Sequence, residues 1–194
     1  MRISGGLARG IPLRTPRGVD LRPAMDRLRQ GVFSSLGERV KGARFADLFA
    51  GTGSYGLEAL SRGAAGGVFV ESNRRAVPTL QENIRAVCRS AGVSEDAVRI
   101  HNMDALSWST SGAERPDLVF IDPPFDDIPA VGEKLLSRLR DLVRDEPEPF
   151  VVFEMPGEVE LHGEGWRLLK RIGSGRDQPT CCLYVLDGPR KRAV

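Results

Sequence analysis

Cysteine and histidine are scarce in this chain, three and two among 194 residues. Cys88, Cys181 and Cys182 are odd in number and two are adjacent, which excludes a disulfide framework, and no Cys/His spacing suits zinc. No metal site is therefore expected. The cysteines read as reduced core or strand residues of a cytoplasmic protein. Long apolar runs are also missing: nothing approaches the ~18 residues of a membrane span, and the first residues lack a signal-peptide apolar region. There is no internal repeat or low-complexity linker. Net charge is only +2, with 41% hydrophobic and 28% charged residues, a balance that excludes disorder and allows one α/β domain with a full core.

The small net charge hides an uneven distribution. The first thirty residues hold Arg2, Arg9, Arg14, Arg17, Arg22, Arg27 and Arg29 against Asp20 and Asp26, a local balance of +5 that leaves −3 for the rest. A basic end of this kind faces a polyanion or is a solvated tail. Residues 2–14 are short, Gly-punctuated and roughly alternating, the pattern of a β-hairpin. Met25, Leu28, Val32, Leu36 and Val40 follow at steps of three and four and predict a helix with Pro23 near its start. We divide the chain into a basic hairpin extension (1–22), a main domain (23–188) and a basic tail (189–194). Because the sheet pattern starts near Arg44, residues 1–17 are expected to be dispensable for the fold.

From Arg44 onward, strand, Gly-rich turn and helix repeat. ARFADLFA, GGVFVE, AVRIHN, PDLVFID and PFVVFEM read as strands; SYGLEALSRG and the stripes Val77–Leu80–Ile84–Val87–Ala91 and Val131–Leu135–Leu139–Leu142 read as helices. Apolar strands alternating with amphipathic helices predict an α/β fold with a mostly parallel sheet covered on both faces. WRLLKRIGS and TCCLYVLD predict a closing antiparallel pair.

Two motifs carry chemistry. In Asp47-Leu-Phe-Ala-Gly51-Thr-Gly53-Ser-Tyr-Gly56, the glycines at the end of the first strand allow a sharp turn and close approach to a nucleotide-like cofactor. The same letters satisfy the dinucleotide fingerprint, with Glu71 twenty residues beyond Gly51, so this segment alone leaves NAD and S-adenosylmethionine open. Asp47 tips the balance, since a carboxylate before the loop suits a methionyl ammonium and repels a pyrophosphate. Glu71, beside Ser72, is placed to accept from ribose hydroxyls. Asp104, between Met103 and Ala105, is placed to accept from an adenine amine, or to cap a local turn. These acids end three successive strands, where open α/β sheets bind ligands.

The second motif is Asp122-Pro123-Pro124-Phe125, after the apolar strand LVFI. Two prolines stiffen the turn and leave carbonyls to face the site. Asp122 and one such carbonyl suit the two hydrogens of a planar amine and aim its nitrogen at a methyl donor. Phe125 suits stacking on a base that has left its own stack.

Residues 46–125 resemble a class I methyltransferase with an (N/D)PP(Y/F) amino-methylating motif. ISGGLARGIPL and LRPAMDRLRQGVFSSL further resemble the RsmD family, over nearly the whole chain. The resemblance implies a Rossmann-like seven-stranded sheet with helices on both faces and an N-terminal β-hairpin. It also implies S-adenosylmethionine as cofactor and methylation of a guanine N2 in 16S ribosomal RNA; a small-subunit assembly particle as substrate and a monomeric enzyme are further expectations, with naked RNA and the oligomeric state left open by the sequence. DNA bases or a protein glutamine are the alternative amino substrates. Carried over, the cofactor loop falls on Asp47, Gly51 and Gly53, the ribose acid on Glu71 and the catalytic turn on Asp122 to Phe125. The RNA-facing motif falls on Arg22, Pro23, Asp26, Arg27 and Arg29, with Arg2, Arg9 and Arg14 of the hairpin beside it. The chain departs from the family at Phe125, where Tyr is commoner, at Ser34, where Asn is usual, and at Ser54-Tyr55, which replaces a smaller pair.

Overall fold

The computed structural model describes residues 1–15 and 23–188, with the backbone alone for 23–25. Arg17, Arg22 and the basic tail lie outside the described residues. Seven strands form one sheet: β1 Arg44–Leu48, β2 Gly66–Val70, β3 Val98–His101, β4 Leu118–Ile121, β5 Phe150–Pro156, β6 Trp166–Ile172 and β7 Pro179–Leu186. Their order is β3-β2-β1-β4-β5-β7-β6. The first five run parallel, and β7 is antiparallel to both β5 and β6. This is the seven-stranded methyltransferase sheet that the resemblance implies.

Four helices accompany it: α1 Pro23–Leu36, α2 Ser54–Ser61, α3 Val77–Ala91 and α4 Ile128–Leu139. α3 shows the local logic. Proline sits in its first turn, its apolar stripe is Leu80, Ile84, Val87 and Ala91, and Gly92 ends it at φ 68° with its N–H on the Cys88 carbonyl. α4 ends at Leu139, one turn before the end of the predicted stripe.

Strand residues alternate between two cores, one on each face. Phe45, Phe69, Phe120 and Val152 pack with α1, α2 and α3; Ala46, Val119, Ile121, Val151 and Phe153 pack with α4 and Trp108. The register aligns Leu48 with Val70 and Ile121, and Ile121 with Phe153. The next residue on β2, β4 and β5 is therefore an acid: Glu71, Asp122 and Glu154. By the period of two, these acids and Asp47 share the face of Phe45, Phe69 and Phe120. Chain order reverses between β1 and β4, which makes this row of acids the switch point where open sheets hold ligands.

The N-terminal hairpin is present but short: a single bridge, Arg2 to Pro12, with Ile3 N–H on the Ile11 carbonyl and Gly10 N–H on the Ile3 carbonyl, both at 2.9 Å. It is not an appendage. Ile3, Ala8 and Leu13 are buried in the core shared by α1, α2 and α3. Burial of an Ile or Leu side chain contributes ~1.5–3 kcal/mol. Leu7 and Ala8 donate their N–H groups to the Ser61 carbonyl and hydroxyl. These contacts weigh against the expectation that residues 1–17 are dispensable for the fold. Removing them would open the core above α2.

Candidate active site

The loop between β1 and α2 is shaped by backbone conformation. Gly51 and Gly53 have φ 53° and 78°, and Phe49 is a non-glycine residue at φ 61°. A Cβ at Gly53 would lie 2.6 Å from Leu80 Cδ1, and one at Gly56 would lie 2.5 Å from both Phe45 and Phe69. These two glycines let α2 sit close to the sheet. At Gly51 a Cβ would meet only the Phe49 carbonyl at 3.9 Å, so that glycine keeps space open above the loop.

The strand-end acids hold this loop. Asp47 is buried, and its Oδ2 accepts from Gly56 N–H at 2.8 Å. Burial pushes its carboxyl up to about 8, with Gly56 N–H pulling it down and the Glu71 charge pushing it up. Glu71 accepts Gly51 N–H through Oε2 and Asn73 N–H through Oε1, both at 2.7 Å. Asp104 is exposed, and its Oδ1 accepts Leu106 N–H at 2.6 Å in a local turn. Ser72 is exposed, Met103 half-buried and Ala105 buried at the same strand ends. Asn102, which no sequence motif singles out, ties these ends together by donating to the Glu71 carbonyl at 2.7 Å and the Ser72 carbonyl at 3.2 Å.

Across the switch point stands the Asp122–Phe125 turn. Asp122 N–H donates to the Leu48 carbonyl at 3.4 Å, so the turn hangs directly beside the glycine loop. Pro123 is buried, and the exposed Pro124 accepts Asp127 N–H at 3.0 Å. The Phe125 ring packs partly on the α4-side core.

Next to Asp122, Glu154 is buried and accepts the Tyr55 hydroxyl at 2.7 Å. Tyr55 stacks on Phe120 with ring centroids 5.4 Å apart, and its hydroxyl lies 3.2 Å from Cys181 Sγ. Burial raises the Asp122 carboxyl well above the usual range, and the charges of Glu154 and Asp47 add to it. Burial raises Glu154 as well, opposed by the Tyr55 hydroxyl and the Arg29 charge. The departure at Tyr55 therefore has a structural reason: the larger ring reaches the acid beside Asp122. A charge inside the apolar strand FVVFEM was the available signal for Glu154.

The basic residues divide by position. Arg29 is a correction, because its guanidinium is buried. It donates to the Arg2 carbonyl at 2.6 Å and Asp26 at 3.0 Å, and pairs with Glu58 at 3.4 Å. A phosphate cannot reach it. Glu58 itself accepts Ser4 N–H, the Ser4 hydroxyl and Arg62, fastening the hairpin to α1 and α2. Arg2, Arg9, Arg14 and Arg27 are exposed. Arg9 belongs to the hairpin tip, docked at the Ser61 end of α2, about 12 Å along that eight-residue helix from the glycine loop. Arg14 lies at the loop end, where its backbone meets Asn83. Arg27 flanks a groove with Gly173 and Gln178. These belong to the β6–β7 turn, whose β7 end pairs with the site end of β5 (Pro179 with Pro156). Exposed Arg176 in that turn, which the sequence motifs do not mark, adds to this basic rim.

Comparison with known proteins agrees with this geometry. The family model described as Conserved hypothetical protein 95 matches residues 1–184. The chain belongs to this family, the RsmD family of the sequence resemblance. Its relatives include "Ribosomal RNA small subunit methyltransferase D" of Escherichia coli K12, 38% identical over 91% of this chain and 86% of that protein. The protein of the same name from Haemophilus influenzae is 30% identical over 90% of this chain and 89% of that one. Among solved structures, the yhhF protein of Escherichia coli superposes with a TM-score of 0.78 at 31% identity, covering 96% of this chain and 97% of that one. The family is thereby shown at the level of sequence and of fold.

Proposed function

We propose that this member of the RsmD family methylates the exocyclic N2 amine of a guanine in 16S ribosomal RNA. Family membership makes the chain a ribosomal RNA methyltransferase dependent on S-adenosylmethionine. The proposal adds the base, the atom and the residues.

The residues present fit that cofactor. Open space above Gly51 admits it, and Glu71 uses one acceptor position on each oxygen for backbone N–H groups, leaving capacity for two ribose hydroxyls. Met103, Asp104 and Ala105 line the end of β3, where an adenine would lie, with Ser72 beside them. Asp47 acts from beneath, fixing the loop through Gly56. When bound, the cofactor supplies an electrophilic methyl on a sulfonium.

The observation that carries the reading is the hydrogen bond from Asp122 N–H to the Leu48 carbonyl, which joins the catalytic turn to the cofactor loop. Asp122 accepts one hydrogen of the guanine amine. The Pro123 carbonyl accepts the other, since Pro124 already accepts Asp127 N–H. The two acceptors fix the amine plane and hold its nitrogen in line for transfer. Transfer would break the sulfonium S–CH3 bond as the N–C bond forms, and the proton then shed by the amine would pass to the Asp122 carboxylate. Phe125 stacks on the extruded guanine.

The exposed Arg14, Arg27 and Arg176 then contact RNA phosphates around the mouth, with Arg2 further along the hairpin. A single copy of the chain acting in the cytoplasm on a small-subunit assembly particle completes the reading. Among the described residues no helix is long and apolar enough to cross a membrane. Labelled methyl transfer should proceed on unmodified small-subunit particles and fall on the same RNA stripped of protein. Equal rates on both would remove the particle from the proposal.

A further inference from the structure

Asn83 is a buried polar residue on the otherwise apolar stripe of α3, and no step of the chemistry above uses it. Its Oδ1 accepts Arg14 N–H at 2.8 Å, and its Nδ2 donates to the Arg14 carbonyl at 2.9 Å. This reciprocal pair imitates a β-bridge between a side chain and the backbone two residues beyond the hairpin's bridge at Pro12. The second Nδ2 hydrogen goes to the Thr52 carbonyl, also at 2.9 Å, between Gly51 and Gly53 of the cofactor loop. A second link runs in parallel: the Thr52 hydroxyl lies 3.8 Å from Met1 Sδ at the other end of the hairpin. The Arg14 side chain is 74% exposed and paired with Glu82 at 2.6 Å, so it faces solvent while its backbone is held.

We infer that Asn83 is a positioning residue that couples cofactor binding in the glycine loop to RNA binding on the hairpin. One planar amide fixes both segments, so ordering either one orders the other. Whichever ligand binds first carries the cost of ordering the shared network, and the second binds tighter. Coupling of this kind is reciprocal by thermodynamic necessity. The inference rests on the proposed RNA contact at Arg14.

The test measures filter binding of unmodified small-subunit particles to the full chain, with and without saturating S-adenosylhomocysteine. Wild type should bind particles roughly fivefold or more tightly when S-adenosylhomocysteine is present, the usual scale of such coupling. In Asn83→Ala each ligand should still bind alone, while the ratio of the two particle affinities falls to about 1. A merely structural role would weaken both affinities and leave their ratio unchanged. If Asn83→Ala fails to fold, hydrogen exchange on wild type decides: S-adenosylhomocysteine should slow exchange at the Arg14 amide. A wild-type ratio of 1, a ratio kept in Asn83→Ala, or unaltered Arg14 exchange would overturn the inference. A separate control keeps the RNA reading distinguishable: Arg14→Glu should weaken particle binding, and its failure to do so would overturn that reading itself.

Discussion

The Tyr55 hydroxyl lies 2.7 Å from Glu154 Oε2, joining the first turn of α2 to the strand beside the one that ends at Asp122. The bond favours an ionised Glu154, and an ionised Glu154 in turn makes Asp122 harder to ionise. Methyl transfer needs Asp122 as an acceptor, so the rate should fall as pH drops through its raised pKa.

Glu154→Gln removes the neighbouring charge and should therefore lower the Asp122 pKa. The acid limb of the single-turnover pH profile should move to lower pH, and Tyr55→Phe should move it the same way by letting the shared proton settle on Glu154. A limb that stays in place, or moves up, would disconnect this network from the chemistry.

Asp47 makes a second pH prediction, on stability. Its carboxyl titrates near 8 in the fold against an ordinary 3.8, so the folded chain keeps a proton that the unfolded chain releases. Stability from this group is present at low pH and is lost as pH rises across that window. Asp47→Asn keeps an acceptor for Gly56 N–H and never ionises. Its melting temperature relative to wild type should rise steadily from pH 5 to pH 8.5. A flat difference would place the charge elsewhere.

Glu58 holds the hairpin through Ser4, Arg29 and Arg62, with its own side chain fully buried. Glu58→Ala leaves Arg29 with Asp26 and the Arg2 carbonyl but strips the acceptor from Ser4 N–H, the Ser4 hydroxyl and Arg62, a loss worth about 1–3 kcal/mol. Urea unfolding should show it. A change below about 1 kcal/mol, the scale of an exposed pair, would mean that the hairpin is held by its apolar residues alone.

Much of this architecture was legible in the sequence because it is written locally. The alternation of FADL, VFVE and LVFID, the glycines that permit positive φ and the acids at strand ends are all read within a few residues. What escaped was carried by partners far apart in the chain. Asn83 and Arg14 are 69 residues apart, Tyr55 and Glu154 are 99, and Ser4 and Glu58 are 54. Arg29 looked like the other arginines because a run of charge does not reveal that Glu58 waits behind it. The signals existed only as exceptions: Asn83 within an apolar helix stripe, and Glu58 and Glu154 within apolar segments.

The basic rim gives a positional prediction. Arg14→Glu and Arg27→Glu lie at the site end and should each flatten the dependence of particle affinity on salt, by about 0.7 to 0.9 in log–log slope for every phosphate no longer neutralised. Arg9→Glu, at the far end of α2, should leave the slope near wild type. Filter binding across a salt series checks this, and an equal effect at Arg9 would place the RNA along the whole hairpin.

The most direct test of the central claim is the identity of the methylated nucleoside. Unmodified small-subunit particles are incubated with S-adenosylmethionine and the protein, and their RNA is digested to nucleosides for mass spectrometry. The account predicts N2-methylguanosine with wild type and a rate lower by orders of magnitude with Asp122→Ala, whose affinity for S-adenosylhomocysteine should stay close to wild type. Methylation at any other base or atom, or full activity in Asp122→Ala, would contradict it.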